Sequence, residues 1–343
     1  MSDMSIRIVS KGLPKLVRVS LGTAMGLGLM DGKLDAPPTT AYLMTYRRGK
    51  CSANCRFCPQ ARESRSRADM LSRISWPIFP TKHILDRIQS PTEKDATRRF
   101  CIQALNYPEV FTHVETLIAA IRRRTDMPIS VSCQPLVTEN IMRIAKAGAE
   151  RVGIPLDAAT ENIFEQIKGT SAGGPYTWRG QFELLNDAVR IFGIGRVSTH
   201  LIVGLGETEK EMINIIQKCV DTGVLPALFA FTPVLGTKLE GWSQPQVEKY
   251  RRVQVARSLI MHKAANFGDM HFDEHGSLVD FGINKKTVEQ TVQSGEPFLT
   301  TGCSDCNRPY YNEKPSGPVY NFPRKLTREE LSEIKTQLGF KEA

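Results

Sequence analysis

Long apolar runs are missing from this 343-residue chain. None approaches the roughly 18 residues that a membrane-crossing helix needs, so no membrane association is expected. Residues 1–18 are polar and basic and contain no apolar h-region, so no secretory signal is expected and the cytoplasm is the expected location. Low-complexity segments and internal repeats are absent. There are only six histidines, and none fall at metal-ligand spacing. What is present is ordinary: 41% hydrophobic and 24% charged residues exclude a disordered or disulfide-dense chain. Eight cysteines in a reducing compartment favour metal ligation or catalysis over disulfides. A net charge of +9 fits an anionic partner (nucleic acid, an acidic protein or a charged small molecule) or a solubilising excess spread over the surface.

Apolar runs of strand length alternate with helix-period segments. Strands are expected at 40–46, 99–105, 127–133, 150–157, 196–204, 225–234, 271–281 and 298–302. Most continue apolar without alternation, as strands buried on both faces do. Helices are expected at 108–124, 138–147, 208–220, 244–265, 285–293 and 326–338. The helix at 208 opens with a capping box, Thr208 followed by Glu211, and the one at 244–265 reads as amphipathic. Eight strands alternating with helices predict an α/β fold, a TIM-like (β/α)8 barrel whose chemistry lies on the loops after the strands. The expected division is a lead-in at 1–38, the barrel at 39–306 and a C-terminal extension at 307–343.

Cysteine supplies the sharpest signal. Cys51, Cys55 and Cys58 form a CxxxCxxC run directly after the first strand. Three thiolates hold three irons of a 4Fe–4S cluster and leave the fourth open, whereas a structural cluster normally takes four protein ligands. A zinc knuckle pairing Cys55 and Cys58 with Cys303 and Cys306 is the competing reading. The spacing, with Phe57 before the last cysteine, resembles the radical S-adenosylmethionine superfamily. The segment Ile202-Val203-Gly204-Leu205-Gly206-Glu207-Thr208 resembles the adenine-side turn of its biotin synthase branch. Pro155-Leu156-Asp157 resembles the segment whose aspartate binds the cofactor ribose, although an Asp at a strand end is also commonly a helix cap. The stretch 232–239 is similar to the same branch. The resemblance implies a radical SAM-type barrel with a 4Fe–4S cluster on Cys51, Cys55 and Cys58 and S-adenosylmethionine on the open iron. It implies cofactor contacts from Phe57, Ala104, Asp157, Gln181, Ile202 and Gly204.

Cys101 and Cys133 correspond in place to cysteines that hold the auxiliary cluster of biotin synthase. The third cysteine position of that enzyme is Ser198 here, and the expected seventh strand contains no arginine. The expected auxiliary site is therefore a second 4Fe–4S cluster on Cys101, Cys133, Cys303 and Cys306, whose strands converge on one cavity if the barrel closes. Buried core thiols for the first two, and a redox pair or surface loop for the CxxC, remain open. Cys219 lies on an apolar helical stripe and reads as core. His200 is expected near the cavity, and Arg62, Arg65 and Arg67 read as a solvated basic loop.

The run from Thr301 to Glu313 resembles a subunit of the two-component lipoyl synthases. That resemblance implies a sulfurtransferase acting on an octanoyl chain carried by a lipoyl-domain or H-type carrier protein. A sister radical SAM subunit and a small-protein electron donor would be its partners. Another biotin-synthase-like enzyme acting on a small molecule is the alternative, and a metal-binding nucleic-acid module is the non-enzymatic one. No nucleic acid is expected under the leading reading.

Overall fold

The computed structural model describes residues 12–88, 96–314 and 316–340; the first part of the expected lead-in and the end of the C-terminal extension lie outside the described residues. In chain order the strands are β1 (Leu16–Val19), β2 (Thr40–Thr45), β3 (Met70–Leu71), β4 (Ile74–Ser75), β5 (Ile78–Pro80), β6 (Arg99–Gln103), β7 (Ile129–Ser132), β8 (Arg151–Gly153), β9 (Val197–Val203), β10 (Val224–Ala230), β11 (His271–Phe272) and β12 (Leu278–Asp280). The helices are α1 (Leu21–Gly26), α2 (Thr81–Arg87), α3 (Val110–Arg122), α4 (Thr138–Lys146), α5 (Glu161–Ile167), α6 (Trp178–Phe192), α7 (Glu209–Asp221), α8 (Val247–Met261), α9 (Lys285–Gln293) and α10 (Arg328–Gln337).

One eight-stranded sheet runs β10-β9-β8-β7-β6-β2-β1-β5. Its six strands β2 and β6 to β10 are parallel neighbours. They match the first six expected strands, because runs buried on both faces stay apolar along their length. All six residues of β2 are buried. Helices return the chain between strands and bury one face each: α3 covers the sheet with Val110, Val114, Leu117, Ile118 and Ile121. Each such side chain contributes about 1.5–3 kcal/mol on leaving water. The capping box at Thr208 and Glu211 forms at the start of α7.

The barrel layout is present, but its last two strands are not those expected. Residues 271–281 fold as β11 and β12, an antiparallel pair outside the main sheet. The Asp273 carboxylate accepts the N–H groups of His275 and Ser277, and Gly276 takes φ +74°, so the chain turns back on itself there. Residues 298–302 follow a 3₁₀ turn and make one bridge, Leu299 to Phe322. Their link to β10 is the Leu228 N–H donating to Thr301 Oγ1 at 2.8 Å.

The count of eight is completed at the other edge. There β1 adds antiparallel to β2 and β5 antiparallel to β1, and β1 comes from the stretch read as a lead-in. Helix α8 also departs from expectation. It is buried on nearly every side, because residues 319–322 cover its second face and accept from Arg251 and Gln254.

Candidate active site

Parallel neighbours in register share a face, so the sheet interior is built in layers. Tyr42, Cys101 and Ser130 form one layer across β2, β6 and β7. Met44, Gln103, Ser132, Gly153 and Ser198 form the next, across β2 and β6 to β9. These residues, with His200, Ile202, Ala227 and Phe229, line a cavity of about 240 Å³. The side open beyond β10 is occupied by the chain from Thr301 to Asn312, which brings Cys303, Cys306, Arg308 and Tyr311 to the same wall.

All seven cysteines proposed as ligands line this one cavity, and Cys219 is buried away from it in α7. The loop from Cys51 to Cys58 is shaped by its own backbone bonds. The Cys58 N–H donates to Cys55 O at 3.0 Å and the Cys51 N–H to Gln60 O at 2.9 Å. Side chains clamp it from outside: Asn54 Nδ2 donates to Ala172 O at 2.8 Å and Lys50 Nζ to Ser66 O at 2.7 Å. Cys51 Sγ accepts the backbone N–H of Asn106 at 3.2 Å and of Ala53 at 3.4 Å. Burial pushes the Cys55 thiol up to about 12 and the Cys58 thiol higher still. Cys101 and Cys133 are likewise pushed up by burial to about 12.

Asp157 lies four residues past β8, in an isolated bridge to Leu201, with φ +67° and its N–H on His200 O at 2.7 Å. Its Oδ2 accepts Lys168 Nζ at 2.7 Å, and Lys168 also donates to Pro155 O at 2.7 Å. The rings of Phe164 and Tyr176 lie 5.6 and 5.2 Å from that ammonium. His200 packs at a tilt against Phe229, with ring centres 4.7 Å apart, and burial, then the cations Arg308 and Lys168, lower its pKa to about 3. It is therefore a neutral wall residue. The Arg308 guanidinium lies 3.9 Å over the other part of this wall, the Phe229 ring, and donates to Thr301 O at 2.6 Å.

Phe57, Ala104, Asp157 and Ile202 line the cavity as well. Gln181 and Gly204 are not on its wall. Gln181 is buried in the first turn of α6. The Gly204 N–H is taken by Glu207 Oε1 at 2.7 Å, which fixes the tight turn after β9, and its φ of +106° requires glycine. Tyr42, Gln103, Asn106, Gln134, Lys168, Tyr176 and Arg308 were not singled out from the sequence.

A cluster and a nucleoside cofactor suit these residues. The cavity holds seven thiols, and metal binding replaces their protons. Buried carboxamide oxygens at Asn106, Gln134 and Gln181 have no hydrogen-bond partner, and the first two residues line the cavity. Unpaired buried acceptors are costly unless a ligand supplies donors. Among the described residues no three Cys, His or carboxylate side chains converge on a single-ion point.

The fold and the cysteine loop define a radical-generating iron–sulfur enzyme. The profile of the Radical SAM superfamily matches residues 48–219, half of the chain, and the chain belongs to that superfamily. Among curated proteins it is similar to biotin synthases. It is 24% identical over 226 residues to that of Brachyspira hyodysenteriae, covering 65% of this chain and 64% of that one. Identity to the enzyme of Synechococcus sp. is 26% over 230 residues, covering 64% and 66% of the two chains. For Acinetobacter calcoaceticus it is 25% over 270 residues, with 76% of each chain covered. The chain thus spans about two thirds of the length of these relatives or a little more. The crystal structure of methylornithine synthase shares the fold, with a TM-score of 0.50 at 12% identity over 76% of this chain and 70% of that one. The family implies a 4Fe–4S cluster and S-adenosylmethionine. Among the described residues no helix is long and apolar enough to cross a membrane.

Proposed function

We propose that this chain is a sulfurtransferase that inserts sulfur into an octanoyl chain carried on a lipoyl-domain or H-type protein, with a sister radical SAM subunit. One observation carries the reading: a single cavity is lined by the Cys51/Cys55/Cys58 loop and by a second group of four cysteines, 101, 133, 303 and 306. When bound, a cluster on the loop with S-adenosylmethionine supplies the 5′-deoxyadenosyl radical that removes a substrate hydrogen atom, and an auxiliary 4Fe–4S cluster on the second group supplies sulfur.

The protein's own contribution is placement. Asp157, oriented by Lys168, offers a carboxylate at the strand end for the ribose hydroxyls. Phe57 and Ile202 provide apolar surface for the adenine. Met44, Ala227, Phe229 and Tyr311 give a wall suited to an alkyl chain, and His200, kept neutral, adds no charge to it. Ser198 in place of a third strand cysteine speaks against desthiobiotin as substrate. The excess of basic residues suits an acidic carrier domain and a small-protein electron donor in the cytoplasm.

Anaerobic reconstitution followed by incubation with an octanoyl-lysine peptide, with and without a sister subunit, tests the proposal. Mass spectrometry is expected to show sulfur gained by the peptide. Efficient conversion of desthiobiotin in its place overturns the assignment and favours the small-molecule reading.

A further inference from the structure

The two cysteine groups are furnished differently. Around the loop, Cys51 Sγ is met by backbone N–H groups. Around the second group, side chains do the donating. Tyr42 Oη lies 2.9 Å from Cys306 Sγ, and Gln103 Nε2 lies 3.1 Å from Cys101 Sγ. Both donors are fixed by the sheet. Tyr42 is the register partner of Cys101, and Gln103 follows Cys101 by two residues on the same face of β6. The Tyr42 ring is held edge-on against Trp76 at 6.5 Å, and the residue is buried, 6% exposed.

In the metal-free pair either the phenol or the thiol can donate. A coordinating thiolate has no proton, so the phenol must then be the donor. Positive charge lies on the same side. Arg99, 1% exposed, is ion-paired with Glu150 at 2.8 Å and donates to Ser304 O at 3.0 Å between the two C-terminal cysteines, and its Nε has no partner. Donors and cations directed at ligating sulfurs favour the more negative, reduced state of a cluster.

We propose that Tyr42 and Gln103 are positioning residues that raise the reduction potential of a cluster on Cys101, Cys133, Cys303 and Cys306 by hydrogen bonds to Cys306 and Cys101. The inference rests on the second cluster site proposed above. The phenol acts through Cys306, and the carboxamide through Cys101.

The test isolates that cluster in the full-length Cys51→Ala/Cys55→Ala/Cys58→Ala chain and follows it by EPR during a potentiometric titration. Tyr42→Phe, which keeps the ring against Trp76, is expected to shift the midpoint to a more negative potential at unchanged iron content. Gln103→Leu is expected to shift it in the same direction. Replacing Tyr42 by a fluorotyrosine, a stronger donor of nearly the same shape, is expected to shift it the opposite way, and this reading decides the matter if Tyr42→Phe loses iron. A cluster present with its potential unmoved by all three changes overturns the inference and leaves the second site standing. A triple-cysteine chain that binds no iron overturns both.

Discussion

Lys168 Nζ and Asp157 Oδ2 form an ion pair of 2.7 Å in which the lysine side chain is fully buried and the aspartate 7% exposed. The pair joins the segment after β8 to the residue that follows α5, beside the cavity wall to which Asp157 belongs. A buried pair adds little net stability when both partners are present, but removing one strands the other charge.

Lys168→Met is therefore expected to destabilise the fold by about 3–5 kcal/mol, read by denaturant unfolding. The double variant Lys168→Met/Asp157→Asn is expected to recover much of that loss. If the single variant unfolds at the wild-type midpoint, the pair is not what holds the turn at Asp157.

Changing Cys51, Cys55 and Cys58 to Ala is expected to abolish formation of 5′-deoxyadenosine and to lower the iron content by about four per chain. Product analysis and an iron assay measure both. Undiminished 5′-deoxyadenosine would remove these three thiols from the radical-generating site.

The Cys303→Ala/Cys306→Ala chain is expected to lose about four irons yet still cleave S-adenosylmethionine. The structure motivates this directly, since both thiols face the cavity and are not on an outward-folded loop. Full iron content with normal sulfur insertion would place the auxiliary site elsewhere.

His200 gives the cluster-free chain an acid sensitivity of known sign. Its pKa falls from 6.5 to about 3 on folding, so above 6.5 both states are neutral and it contributes no pH dependence. Between about 6.5 and 3 the unfolded chain binds a proton that the folded chain refuses, and stability falls by about 1.4 kcal/mol per pH unit. His200→Phe is expected to flatten that part of the stability profile relative to wild type, as measured by unfolding at pH 7, 6 and 5. Identical slopes for the two chains would mean that His200 takes up its proton in the folded state.

The loop from Cys51 to Cys58 was legible in the sequence because its three thiols lie within eight residues, and their spacing is a local property. The six parallel strands were legible for a similar reason: burial on both faces writes a continuous apolar run. Where residues 271–281 and 298–302 pair was not legible, since an apolar run reports burial but not its partner. In the first, the turn at Asp273–Gly276 outweighs extension. In the second, the backbone bonds go to Phe322, and β10 is met only through the Thr301 side chain. Strand β1 was hidden because four residues are too few to show a period. The burial of the second face of α8 depends on residues 319–322, some 60 positions away or more. The same holds for the second cysteine group and its furnishings. Sequence placed Cys101, Cys133 and the Cys303/Cys306 run on three separate elements, expected to meet only if the barrel closed. Only strand register, which sets Tyr42 beside Cys101, and the inward fold of the chain after Phe298 decide that these thiols, Gln103 and Arg308 share one cavity.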